Sequence, residues 1–242
     1  MLLVNYRRVP SFISPNMKNQ FKNIFGKLNR IVLALGVRNF SGKGSAFFRV
    51  RCKISPGNKV VFAKSVVEKV RISIKGTDNE IKSDSSLISS TSIQIEGTNN
   101  KLILEAGVKL RGSVINLRGN NCLIHIGQNT TFGGARLVNT GNDNPLKIGK
   151  NCLFADHIEV WASDTHSIYN REGKMINKEK PIIIEDNVWI GSHVFILKGV
   201  TIKSGSVVGM GALVTKDVPG NSISVGNPNA VVRENISWKL DY

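Results

Sequence analysis

The 242-residue chain is 41% apolar, contains 23 glycines and carries a formal net charge of +16. That length suits one sizeable domain with an appendage, and without a run of about 18 apolar residues no helical membrane span is expected. The three cysteines, Cys52, Cys122 and Cys152, show no CxxC spacing, which argues against a disulfide framework or a Cys-based zinc site and for buried structural thiols.

The charge sits at the start of the chain. Residues 1–75 hold 16 Lys and Arg against one acid, Glu68, while the remainder is nearly balanced. Such a surface attracts anionic lipid, nucleic acid or an anionic polysaccharide, and charge alone does not choose among them. Arg7 and Arg8 are not followed by the apolar core and cleavage site of a signal peptide, so a cytoplasmic location is the default expectation. Residues 14–36 read as an amphipathic helix. Ser14 serves as N-cap and Pro15 as first helical residue, Phe21, Ile24, Phe25, Leu28, Ile31, Val32 and Leu35 fall at helical spacing, and Gly36 is the stop. Its basic residues Lys18, Lys22, Lys27 and Arg30 would let it lie on an anionic membrane, peripheral to the inner membrane. The stronger reading is a helix that closes one end of a repeat stack.

A six-residue repeat is the dominant signal. Ile184, Ile190, Ile196, Ile202, Val208 and Val214 form one series, and Val188, Val194, Val200, Ser206, Ala212 and Val218 follow four residues behind. A helix of 3.6 residues per turn cannot hold period six on one face, and a single strand would show period two. Three short β-faces per turn explain it, with the aliphatic residue pointing to the axis. The same phase recurs at Ile148, Phe154 and Val160 and at Ile126, Phe132 and Val138. Between these turns the repeat lengthens to 22 residues, the excess falling at Gly97–Asn100, Gly119–Cys122 and Gly141–Asn144, where Gly and Asn tolerate positive φ. Turns are expected from near residue 50. The organisation is then a basic extension over 1–45, a β-helix over 46–225 and a C-terminal tail over 226–242.

The repeat breaks once, after Val160, and resumes near Ile184. The insertion, about 163–182, carries Asp164 and His166 and has Trp161 at its root. A long loop interrupting a regular stack is commonly functional.

At these residues the chain resembles the hexapeptide-repeat acyltransferases, in particular the branch that O-acetylates sugars and bacterial surface polysaccharides. Ser163-Asp164-Thr165-His166-Ser167-Ile168 resembles that family's catalytic loop. Asn187-Val188-Trp189-Ile190-Gly191-Ser192 is similar to its NVWIG turn, Val208-Gly209-Met210-Gly211 through Pro219 to its coenzyme A turn, and Val225-Gly226-Asn227-Pro228 with Val231–Glu234 to its C-terminal signature. The resemblance implies a left-handed parallel β-helix, homotrimers with active sites between subunits, and acetyl-CoA as co-substrate. It implies further that Ser192 and the backbone at Met210 line the pantetheine arm, that Thr215 and Lys216 meet the phosphates or adenine, and that Arg233 reaches the nucleotide phosphates. Ala135 stands where the small-sugar branch has a ligand-contacting Asn.

Acetyl transfer to an alcohol needs a base for the hydroxyl proton, and an imidazole, with an ordinary pKa near 6.5, accepts it at neutral pH. His166 is the candidate base. Asp164 either orients it, binds substrate or merely shapes the turn. Trp161 and Trp189 either stack on a sugar, wall the coenzyme channel or pack at a subunit interface. No metal is expected, since His125, His157, His166 and His193 show no ligand spacing. The basic N-terminal third suits an anionic or lipid-linked glycan acceptor, capsule or lipopolysaccharide, and no nucleic-acid partner is expected. A small acceptor, such as a sugar nucleotide or antibiotic, and a non-catalytic scaffold for anionic polymers are the alternatives.

Overall fold

A computed structural model describes the backbone of residues 32–33 and all of residues 40–239. Among them all regular structure is strand, wound into a parallel β-solenoid of about eight turns. Each turn but the last contributes one strand to each of three sheets. The first face runs from Val32–Leu33 to Leu213–Val214, the second from Phe40–Ser41 to Thr201–Ile202, and the third from Ala46–Phe48 to Ile223–Val225. Each strand bonds to its equivalent one turn away. Ser92 aligns with Val114 and Val114 with Arg136, turns of 22 residues, whereas Phe195 aligns with Leu213, a turn of 18.

Both hexad series point inward. Every residue from Ile184 to Val214 in the first series, and from Val188 to Val218 in the second, is buried. Phe132 and Phe154 stack on the axis with centroids 4.4 Å apart. Burying such side chains contributes roughly 1.5–3 kcal/mol each. One phase assignment needs correction. Val160 aligns with Leu137, and Val138 aligns with the outward Trp161. Leu137 is therefore the axial residue, because the Gly133–Gly134 corner is one residue shorter than the corner through Ala155, Asp156 and His157. Gly133 N–H lies within bonding range of both Phe154 and Ala155 carbonyls.

The widened corners lie between first and second faces, where two ladders fill them. Gly76, Gly97, Gly119 and Gly141 stack in register, all at positive φ. Inside them Asn58 Oδ1 accepts bonds from Asn79 N and Nδ2 (3.0 and 2.8 Å), and Asn79 Oδ1 accepts two from Asn100 (both 3.0 Å). Asn100 Oδ1 then accepts from Cys122 N. Their amides donate to the Gly76, Gly97 and Gly119 carbonyls at 2.8 Å. Buried amides are tolerated here because they are paired within the stack. Asn144 extends the column and donates to the Ala162 carbonyl at 3.0 Å, the root of the insertion.

The ends differ from expectation. Most of the predicted helix, residues 14–31, lies outside the described residues, but Val32–Leu33 is a strand paired in parallel with Arg51–Cys52. The predicted helix therefore does not run through these two residues. These two residues occupy the otherwise open edge of the first face, where the neighbouring strand's free N–H and C=O groups supply partners. Strands thus begin ahead of residue 46, and Phe40, Phe47 and Phe62 form an aromatic cluster with centroids 5.7–6.1 Å apart in the first turns. At the other end the chain doubles back, Ala230–Arg233 running antiparallel to Ile223–Val225. The Asn229 side chain closes the last turn by accepting from Thr215 N (2.9 Å) and Lys216 N (3.2 Å) and donating to Ser224 Oγ (3.1 Å). The tail then runs along the third face, where Trp238 Nε1 donates to Asn187 O at 2.9 Å.

A Cβ at Gly97 would lie 1.9 Å from the Gly119 carbonyl oxygen, whereas one at Gly173, also at positive φ, meets nothing within 4 Å. Gly97→Ala is therefore expected to abolish cooperative folding. Gly173→Ala should cost only about 1–2 kcal/mol, the left-handed backbone penalty. Denaturant unfolding of both variants checks this.

Candidate functional site

The insertion leaves the first-to-second corner after Trp161 and returns at Ile182. It does not disturb the stack, because Glu159 still aligns with Phe195 and Leu146 with Ile182. It is itself folded. Tyr169 and Met175 form an antiparallel bridge, and Ile176 N donates to Ile168 O at 2.9 Å. Glu179 Oε1 ties the returning arm down by accepting from Asn142 N at 2.8 Å.

His166 sits at a tight bend. Its N–H donates to the Asp164 carbonyl two residues back at 2.8 Å, and Thr165 between them has φ +62°. Positive φ at a β-branched residue is strained by about 1–3 kcal/mol and persists only where neighbours enforce it. The neighbours are Asn177 and Lys198. Asn177 Nδ2 donates to the His166 carbonyl and to Asp164 Oδ2 (both 2.8 Å), and its Oδ1 accepts from Ile168 N at 2.6 Å. Lys198 Nζ donates to Asp164 Oδ2 at 2.5 Å and to the Asn177 carbonyl at 2.8 Å. Burial would raise the Asp164 carboxyl, but the hydrogen bonds from Lys198 and Asn177 and the Lys198 charge outweigh it and hold it below its ordinary value. The Asp164 carboxylate is thus engaged by Lys198 and Asn177. Among the described residues the His166 imidazole makes no hydrogen bond and is exposed.

Two clefts of about 280 Å³ each flank His166. One lies on the first face and is lined by Asn116, Arg118, Arg136, Thr140 and Trp161. The other lies under the insertion, beside Asp164, Asn177 and Glu179. Trp161 is held by donating from Nε1 to Glu159 Oε2 at 2.7 Å. Ala135 is buried and faces the core, leaving Arg136 as the outward residue of that rung.

The other predicted residues lie elsewhere on the chain. Ser192 and Met210 occupy the third-to-first corner. Ser192 Oγ donates to Asp156 and keeps that carboxyl below its ordinary value, while Met210 is 74% exposed. His193 stacks on His157 at the same corner, centroids 4.8 Å apart, beside a groove of about 480 Å³. Trp189, partly exposed on the third face, lies 6.0 Å from Trp238. Thr215 and Lys216 return to the first-to-second corner against Asn229, and exposed Arg233 ends the antiparallel strand. One chain therefore brings together Trp161, Asp164 and His166 but keeps Ser192 and Met210 on the opposite edge of the first face. The cysteine thiols are unsuited to nucleophilic use. Burial raises all three, Cys52 and Cys152 to about 11. Among the described residues no group of three or more His, Cys, Asp and Glu could hold a metal ion.

Lys198, Asn177 and Asn229 escaped the sequence reading. Each belongs to a corner or loop where the period carries no information about contacts across turns.

A parallel solenoid of six-residue faces, with one folded insertion lifting a histidine beside a groove, defines the class of hexapeptide-repeat proteins. Residues 181–216 match the family described as hexapeptide repeat of succinyl-transferase. The galactoside O-acetyltransferase of Lactococcus lactis subsp. lactis (strain IL1403) is 33% identical over 144 residues, covering 54% of this chain and 68% of that one. This chain belongs to the hexapeptide-repeat acyltransferase family. It is also similar to the polysialic acid O-acetyltransferase of Escherichia coli O1:K1 / APEC, 38% identical over 131 residues and 54% of this chain, and spans less than half (42%) of that relative's length. Among solved structures, the polysialic acid O-acetyltransferase OatWY superposes with a TM-score of 0.66 at 29% identity, covering 84% of this chain and 92% of the other. The fold is the left-handed β-helix of these acetyltransferases.

Because the folded-state Asp164 carboxyl is depressed, its stabilising contacts are complete above the unfolded-state value and are lost as pH falls through the folded-state value. Thermal unfolding against pH should show Asp164→Asn less stable than the parent at neutral pH. The two should converge once pH has dropped below the ordinary carboxylate range.

Proposed function

We propose that this chain transfers an acetyl group from acetyl-CoA to a hydroxyl of an anionic bacterial surface glycan, with His166 as general base. The observation that carries the reading is the placement of an exposed imidazole at the mouth of a groove bearing Arg118, Arg136 and Trp161. It is supported by the resemblance to polysialic acid O-acetyltransferases. Arg118 and Arg136 would attract the acceptor's negative charge, and the Trp161 indole offers a face for a sugar ring.

In the reaction the imidazole takes the proton as the acceptor oxygen bonds to the thioester carbonyl carbon. The tetrahedral adduct then collapses, the carbon–sulfur bond breaks, and the imidazolium returns the proton to the leaving thiolate. Free energy comes from the thioester, so the chain must supply position and a base, the latter worth roughly 10²–10⁴-fold. The separation of Ser192 and Met210 from His166 within one chain favours a homotrimer, in which one copy's third-to-first corner faces the next copy's insertion. Capsular or lipopolysaccharide acceptors on the cytoplasmic side of the inner membrane fit this reading.

The test is acetyl transfer from labelled acetyl-CoA to a panel of a sialic-acid polymer, a uronic-acid polymer and a neutral galactoside. Anionic polymers should be acetylated preferentially, and His166→Ala should lower turnover at least about a hundredfold. Near-parental turnover in that variant would reject His166 as base, and preference for the neutral sugar would reject the anionic acceptor.

A further inference from the structure

The bend that presents His166 is held by side chains on two other segments. We infer that Lys198 and Asn177 are positioning residues for His166, forming a clasp that fixes the strained Asp164–Thr165–His166 bend. The inference rests on the reading of His166 as the base.

Three observations carry it. First, the bend itself is unfavourable, with a positive φ at a β-branched residue and its only local bond spanning two residues. Left alone, such a segment relaxes to negative φ and swings the imidazole away from the first-face groove. Second, the clasp closes on itself. Asn177 binds the His166 carbonyl, the Asp164 carboxylate and the Ile168 N–H, while Lys198 binds that carboxylate and the Asn177 carbonyl. Asn177 thereby grips backbone on both sides of Ser167. Third, Lys198 stands on rigid ground. It directly follows the strand Phe195–Leu197, whose Ile196 is buried on the axis, and its side chain is only 17% exposed. The insertion is thus anchored to the turn after the one it leaves, so the imidazole is held relative to the stack and not merely to the loop.

This assigns Asp164 a role other than contact with the imidazole. Its carboxylate is the acceptor that joins Lys198 to the bend. Lys198 holds that carboxylate as one member of an ion pair.

The experiment uses the full chain and four variants, Lys198→Met, Lys198→Arg, Asn177→Ala and His166→Ala, with Lys198→Met also combined with His166→Ala. Thiol release from acetyl-CoA is followed with a sialic-acid polymer as acceptor, and trypsin cleavage within the insertion at Arg171, Lys174 and Lys178 is timed separately. Lys198→Met and Asn177→Ala should each lower kcat at least about tenfold, since a displacement of about 1 Å at a reacting group costs up to 10²-fold. The KM for acetyl-CoA should stay within about twofold. Lys198→Arg, able to make the same charged contact, should recover most of kcat. In the His166→Ala background Lys198→Met should bring no further loss, because both act through one imidazole. Cleavage of the insertion should speed up in Lys198→Met, while the melting temperature falls no further than in Asp164→Asn.

Unchanged kcat in Lys198→Met, or an equal additional loss in the His166→Ala background, overturns the inference. So does unchanged cleavage of the insertion, which is read without any turnover. A near-normal His166→Ala variant with faster cleavage in Lys198→Met would instead reject the base assignment while leaving the clasp in place.

Discussion

Hydrogen bonding between parallel strands one full turn apart is the constraint on which this structure depends. Parallel strands cannot be joined by a tight hairpin, so every rung must travel through two further faces before meeting its partner. The partner is then defined by the stack, and the corner between two faces is free to vary in length. That is why Glu159 meets Phe195 across the long insertion in the same way that Phe195 meets Leu213 across eighteen residues. A loop long enough to carry chemistry is accommodated at no cost to the core.

The same corner shows four solutions to one problem. Early turns widen it and fill the space with stacked glycines outside and stacked asparagines inside. The turn of Trp161 extrudes the insertion there, above Asn144. Later turns close it within a bare hexad, and Asn229 finally seals the open end. In each case the backbone groups exposed by the corner find partners from an adjacent turn, as buried polar groups must. The insertion is therefore not a slack excursion. Asn144, Glu179, Asn177 and Lys198 tie it at several points.

The division of the site follows from the prism shape. His166 and Trp161 project from one edge of the first face, and Ser192 and Met210 from the other. A flat face cannot fold its two edges together; on the reading proposed above, a substrate that touches both sets would lie where edges of different copies approach. Charge adds direction. The first face carries Arg118 and Arg136 near His166, partly balanced by Glu96 and Glu159, so an anionic polymer would be attracted without being held irreversibly.

The sequence by itself determined the solenoid, its six-residue faces, the widened Gly/Asn corners and the one insertion with its histidine. Period six has a single economical geometric solution, and the inward residues from Ile184 to Val218 obey it. It did not determine the phase at Val138, because a one-residue difference between the corners at Gly133–Gly134 and at Ala155–His157 is invisible to a count of aliphatics. Nor did it show that Val32–Leu33 would join the first face, since helical spacing weighs local preference and not an unpaired strand edge. Only the tertiary structure decided that Asp164 answers to Lys198 and Asn177, because those three side chains meet across a hairpin and an adjacent turn, contacts that no local period encodes.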